Sequence, residues 1–247
     1  MDAIPVFERS HHQRIARVLE TLDGGLLRLM GCWFGGGTAI ALRKGEYRES
    51  RVIDFLVSDL AGYRELRQRM RGARDLRALT RTGQDPVPME SEVRIDRYGI
   101  RAFVMVGGVP IKFEIVSEGR IDFDQPGRSD RILGIATLTP VDLAASKLLA
   151  NSDCWRDDSA FSRDAIDLAM LDLPPRHLRP ALEKSISAYG TAVMDDMQAA
   201  LRALRERPEW QIRCLRALAV TAPPAVVQQK LRYLARRLLA VSDGTAA

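Results

Sequence analysis

Two β-type runs, Ile100 to Val106 and Val109 to Val116, are separated only by Gly107-Gly108. Gly-Gly between such runs is a hairpin signal, because the tight turn that matches strand twist wants positive φ at its central residues. A third run, Glu92 to Arg97, meets the first at Tyr98-Gly99, so the segment predicts an antiparallel meander. Upstream, Val52 to Val57 is rich in β-branched and aromatic residues and predicts one more strand. Several other segments have helical spacing. Apolar residues recur at Ile15, Val18, Leu19 and Leu22, within a helix expected over Phe7 to Leu22 that stops at Asp23-Gly24-Gly25. Leu26 to Phe34 is a short apolar run, Thr38 to Leu42 a short helix, and Tyr63 to Arg71 a solvent-facing helix. Asp122 to Asp130, with Pro126-Gly127, predicts a loop.

After Thr139 the character changes. Pro140 to Ala150 predicts a helix with Pro at its first position, and Ser162 to Leu171 continues in helical period. Beyond Pro174-Pro175, helices are expected over Leu178 to Arg207, Glu209 to Val220 and Ala225 to Leu239. The fold class is therefore α/β (α+β): a mixed-sheet core over residues 1–139, then a helical region over residues 140–247.

Composition narrows the function classes. No stretch of about 18 apolar residues occurs, so no membrane-spanning helix is expected. The first residues, Met1 to Arg14, lack a continuous apolar segment, so no signal peptide is expected and a cytoplasmic location is. Cys32, Cys154 and Cys214 are odd in number and far apart, which suggests neither a zinc site nor a disulfide framework. The net charge of +5 is unevenly placed: residues 174–247 hold 12 Lys and Arg against 6 Asp and Glu. A basic surface draws in nucleic acid, although solvated helix faces give the same count.

Four features carry candidate chemistry. Phe34-Gly35-Gly36-Gly37-Thr38-Ala39 leads from an apolar run into a helix, where glycines admit close approach and free N–H groups face a phosphate. It lacks the Gly-Lys-Ser/Thr of a Walker loop, and a triple glycine alone is also an ordinary tight turn. Asp54, between Ile53 and Phe55, is a carboxylate inside an apolar strand, which is costly unless it is paired or bound to metal. Glu114, in Ile111-Lys112-Phe113-Glu114-Ile115, repeats the pattern, and neighbouring strands would bring the two acids together. Otherwise each acid faces outward. Lastly, Lys147 follows Ala144, Ala145 and Ser146, and Asp164 and Asp167 share a helix face that can orient Lys147 or Arg156, or be solvated.

In order, these pieces resemble the AbiEii-type nucleotidyltransferase toxins. The pieces are Gly36-Gly37-Thr38, Arg48-x-Ser50, Ile53-Asp54-Phe55, Lys112-Phe113-Glu114-Ile115, Leu143-Ala144-Ala145-Ser146-Lys147 and Arg163-Asp164-x-x-Asp167. The resemblance spans about Gly35 to Leu171 and lies in the ordered set. It implies a nucleotidyltransferase-like fold, with Gly36, Gly37 and Thr38, together with Arg48 and Ser50, binding the nucleotide. It implies Mg²⁺ on Asp54 and Glu114, catalytic roles for Asp54, Glu114 and Lys147, and support from Arg163, Asp164 and Asp167. It further implies transfer of a nucleotide from a nucleoside triphosphate to an acceptor such as tRNA, and a cognate antitoxin as partner. One residue departs from the pattern: the family has Asp-x-Asp in the strand, and here the first Asp is Val52. Valine cannot ligate Mg²⁺. The alternative is thus a catalytically degenerate protein of the same fold that binds nucleotide or nucleic acid without chemistry. A third option is transfer to a small molecule such as an antibiotic.

Overall fold

The computed structural model describes residues 7–242. The first six residues of the N-terminal stretch discussed above lie outside it. The described residues form two compact units, residues 7–46 with 50–139, and residues 47–49 with 140–242.

In the first unit, helix α1 (Ser10–Thr21) buries Ile15, Val18 and Leu19. Helix α2 (Gly24–Leu29) is capped by Asp23, whose carboxylate accepts from the amides of Gly25 and Leu26. The apolar run Leu26 to Phe34 is thus divided: its first half ends α2, and strand β1 (Cys32–Phe34) follows. Next come α3 (Gly36–Arg43), β2 (Val52–Val57) and α4 (Leu60–Met70). Helix α4 is not purely solvent-facing as its sequence suggested, since Tyr63, Leu66 and Met70 are buried. Its exposed arginines hide the apolar stripe in a short window.

Strands β3 (Arg94–Ile95), β4 (Gly99–Val106) and β5 (Val109–Ser117) form the expected meander. Gly107 and Gly108 both have positive φ, 58° and 77°, as the two-residue turn requires. The sheet runs β1-β2-β5-β4-β3. It is mixed: β2 and β5 are parallel, and the other pairings are antiparallel. Burial alternates along β2, with Ile53, Phe55 and Val57 buried and Val52, Asp54 and Leu56 partly open. Phe34, Phe55 and Phe113 pack in series, at ring separations of 5.6 and 5.7 Å. A small hairpin of β6 (Arg131–Ile132) and β7 (Ile135–Ala136) was not legible in the sequence, because two-residue strands carry no periodicity.

The second unit is helical: α5 (Pro140–Cys154), α6 (Arg163–Leu171), α7 (Pro175–Tyr189), α8 (Ala192–Glu206), α9 (Pro208–Ala217) and α10 (Pro224–Ser242). The single helix expected over Leu178 to Arg207 is broken in two at Gly190, whose φ of 72° cannot continue a helix. The three cysteines are free, with Cys32 and Cys214 buried.

Candidate functional site

Asp54 and Glu114 are register partners on the adjacent parallel strands β2 and β5. Both belong to the more open face of the sheet. The glycine turn lies against that face. Gly35 donates its amide to the Asp54 carbonyl at 2.8 Å. Gly36 has φ of 64°, and a Cβ there would stand 2.4 Å from Asp54 Oδ2. Backbone and carboxylate can come this close only because residue 36 has no side chain. The first amides of α3 belong to Gly36, Gly37 and Thr38. A helix N-terminus of this kind favours a phosphate.

The side chains of Thr38 and Ser50 serve this turn structurally. Thr38 is fully buried, and its hydroxyl lies 2.7 Å from Ser50 Oγ and also bonds the Val52 carbonyl. The Ser50 amide donates to His12 Nε2 at 3.0 Å, while His12 Nδ1 lies 2.7 Å from Glu46. His12 is wholly buried. Burial pushes its pKa below the ordinary value against the pull of Glu46. His12 thus serves as an acceptor that fixes Ser50.

Glu114 does not stand alone. Its oxygens lie 3.2 Å from Arg101 Nε and 2.7 Å from Lys112 Nζ. Val52 is the register partner of Lys112, so the position where the family pattern has its first Asp is apolar, with a cation on the next strand. Among the described residues, no three His, Cys, Asp or Glu side chains gather as a metal site.

A second cluster forms in the helical unit. Asp167 on α6 is fully buried and accepts from Arg48 Nε at 2.6 Å, Arg48 Nη2 at 2.8 Å, the Tyr47 hydroxyl and Lys147. Lys147 on α5 is 2.6 Å from Asp164 and 2.8 Å from Asp167. Arg163 is 3.6 Å from Asp164. Burial by itself would raise the Asp167 pKa, but Arg48 and Lys147 hold it well below the usual carboxylate range. Burial likewise opposes the charge on Lys147, and Asp164 and Asp167 overcome it, so its pKa is raised. The two Asp therefore orient Lys147 and are not merely solvated, while Arg156 instead lies over the Trp155 ring. Arg48 directs Nη1 to the Glu49 carbonyl at 2.7 Å, besides its fork on Asp167.

The candidate residues thus fall into two groups. Gly36, Gly37, Thr38, Ser50, Asp54 and Glu114 gather in the α/β unit, and Arg48, Lys147, Arg163, Asp164 and Asp167 in the helical unit. Sequence reasoning missed Tyr47, His12 and Arg101. Arg101 was the most findable, because it alternates with Ile100 and Ala102 in a β-run.

The strand arrangement and its glycine turn define a nucleotidyltransferase-like α/β protein. A family model described as "Nucleotidyl transferase AbiEii toxin, Type IV TA system" matches residues 30–235. The chain belongs to this AbiEii nucleotidyl transferase toxin family. Two solved Helicobacter pylori structures share the fold. One, described as a nucleotidyltransferase, has a TM-score of 0.51 and 14% identity over 95% of this chain and 94% of its own. The other, JHP933, has a TM-score of 0.53 and 14% identity over 97% and 95%. No curated protein matches the chain. No helix among the described residues is long and apolar enough to cross a membrane.

Proposed function

We propose that this chain transfers a nucleotide from a nucleoside triphosphate to an acceptor hydroxyl, which attacks the α-phosphate and releases pyrophosphate, with tRNA as the acceptor class, as a cytoplasmic toxin held by a cognate antitoxin. The observation that carries the reading is the pairing of Asp54 with Glu114 beneath the Gly35-Gly36 turn. The α3 amides of Gly36, Gly37 and Thr38 hold phosphate oxygens. Thr38 and Ser50 keep that turn in place through their buried hydroxyls. In the helical unit, Asp164 and Asp167 hold Lys147 as an ammonium of raised pKa.

Proteins commonly bind Mg²⁺ through one or two carboxylates, with substrate phosphates and water completing the shell. Asp54 and Glu114 fit a metal held in that shared way. They do not fit a seat filled by protein oxygens alone, because Val52 withholds a ligand and Lys112 and Arg101 engage Glu114. When bound, such an ion would neutralise charge on the transferred phosphate.

Those same ion pairs and Val52 favour a second reading: a protein of this fold that binds nucleotide or nucleic acid without chemistry. Incubation of the protein and total tRNA with each labelled nucleoside triphosphate, with and without Mg²⁺, separates the two. Label on RNA supports transfer, and label on a small molecule instead redirects the acceptor. Nucleotide binding with no transfer to any acceptor supports the second reading.

A further inference from the structure

The row that begins at Asp54 continues across the sheet. Glu114 is the register partner of Arg101 on β4, and Arg101 is that of Arg94 on β3. Asp54, Glu114, Arg101 and Arg94 therefore stand side by side on one face, spanning three strand spacings, or about 14 Å. The next row holds Val52, Lys112 and Phe103. Along β4 the neighbours Ala102 and Val104 are buried, whereas Phe103 is 46% exposed. An open sheet face thus carries a half-exposed aromatic ring, with acids at one end and cations at the other.

Three features argue that this face has a ligand. Phe103 leaves about half of its surface in solvent, a face on which a base can stack. Arg94 lies directly opposite Arg101, and like charges so placed destabilise a strand pair. Arg101 is offset by Asp96 and Glu114, while Arg94 makes no ion pair among the described residues. Finally, positive charge continues around the β3 edge. Arg64, Arg67 and Arg71, at helical spacing, line a cavity of about 630 Å³ beside Val93 and Ile95, with Glu92 as its one acid. Guanidinium forks match phosphate oxygens bidentately. With three arginines against one acid, this lining suits a polyanion better than the apolar anchor of a protein partner.

We propose that this face is a platform for a single-stranded polynucleotide, with a base stacked on Phe103 and phosphates held by Arg94, Arg101 and Lys112, leading the strand toward Asp54. The proposal deepens the transfer reading by naming where the acceptor lies. Its test contains neither nucleoside triphosphate nor metal, so a failure of transfer does not bear on it.

The probe is a fluorescein-labelled 12-nucleotide single-stranded RNA of mixed sequence, followed by anisotropy at several salt concentrations. Wild type should bind. Phe103→Ala should weaken binding about tenfold, a loss in the range for one stacked base, and Phe103→Trp should restore it. Arg94→Ala should weaken binding and flatten the logarithmic salt dependence by about 0.7, the value for one contact to a single strand. Arg94→Ala should melt like wild type because Arg94 is exposed, and Phe103→Trp, which keeps a ring, separates lost stacking from the packing that Phe103→Ala removes. The platform is refuted if Phe103→Ala binds like wild type, if duplex RNA binds as tightly as the single strand, if poly-glutamate displaces the RNA at equal charge, or if wild type does not bind.

Discussion

The Asp167 cluster allows a sharp test of how the helical unit is held together. Asp167→Asn keeps the shape and removes the charge. Asp167 is fully buried and accepts from Tyr47, Arg48 and Lys147. The substitution leaves buried Arg48 without its carboxylate partner and leaves Lys147 with Asp164 alone. Removing one partner from a buried pair costs about 3–5 kcal/mol, because the charge left behind stays desolvated. At about 2–4 °C per kcal/mol for a chain of this size, the melting midpoint should fall by about 10 °C. Arg69→Ala serves as the contrast. It removes an i,i+4 pair with Glu65 whose side chains are both 41% exposed, so solvent screens it and the expected change is under about 0.5 kcal/mol. A pH series adds the sign. The folded Asp167 pKa lies below its ordinary value, so its contribution is complete above the unfolded pKa of about 3.9 and is lost as pH falls below that. The gap between wild type and variant should therefore hold steady from about pH 5 to 7 and narrow below about pH 4. Thermal melts across that range decide it, and a loss no larger than that of Arg69→Ala would refute the reasoning.

Other perturbations probe the α/β unit and Lys147. Val52→Asp places a carboxylate two residues before Asp54 on the same strand face, so it should cost stability in EDTA and recover it with Mg²⁺ and nucleotide; melts without a metal-dependent gain would discard the metal reading of β2. Gly36→Ala should cost at least about 1 kcal/mol in urea unfolding and weaken nucleotide binding, since its Cβ would sit 2.4 Å from Asp54 at φ of 64°. Lys147→Ala should lower the melting midpoint by several degrees rather than behave as the loss of a solvated cation, because Lys147 is buried between Asp164 and Asp167. For buried His12, whose folded pKa is lowered, stability is complete above the ordinary value of about 6.5 and falls as pH drops below it. His12→Gln should flatten that part of the stability profile.

The legible parts of the molecule were those with a strong local rule. Val52 to Val57 was recovered to the residue, and the Gly107-Gly108 turn fixed β4 and β5. Asp54 and Glu114 stood out because a charge within an apolar strand demands a reason. Gly190 was missed because the residues on both sides of it keep helical period, so the break rests on one φ angle. The role of Arg48 was illegible for another cause. Its partner Asp167 lies 119 positions away, and nothing local separates an arginine that grips a buried aspartate from one that awaits a phosphate.

Residues 47–49 belong to the helical unit although the chain on both sides of them belongs to the other. The helical unit is therefore not a continuous piece of the sequence. A fragment starting at Pro140 would keep Asp167 and Lys147 but lose the hydroxyl of Tyr47 and the guanidinium of Arg48. During synthesis these two residues emerge long before the helices they complete, so the grip on Asp167 closes only when α6 has left the ribosome. A helical half exchanged without its upstream tripeptide would arrive with an acid in its core and half its counter-charge missing.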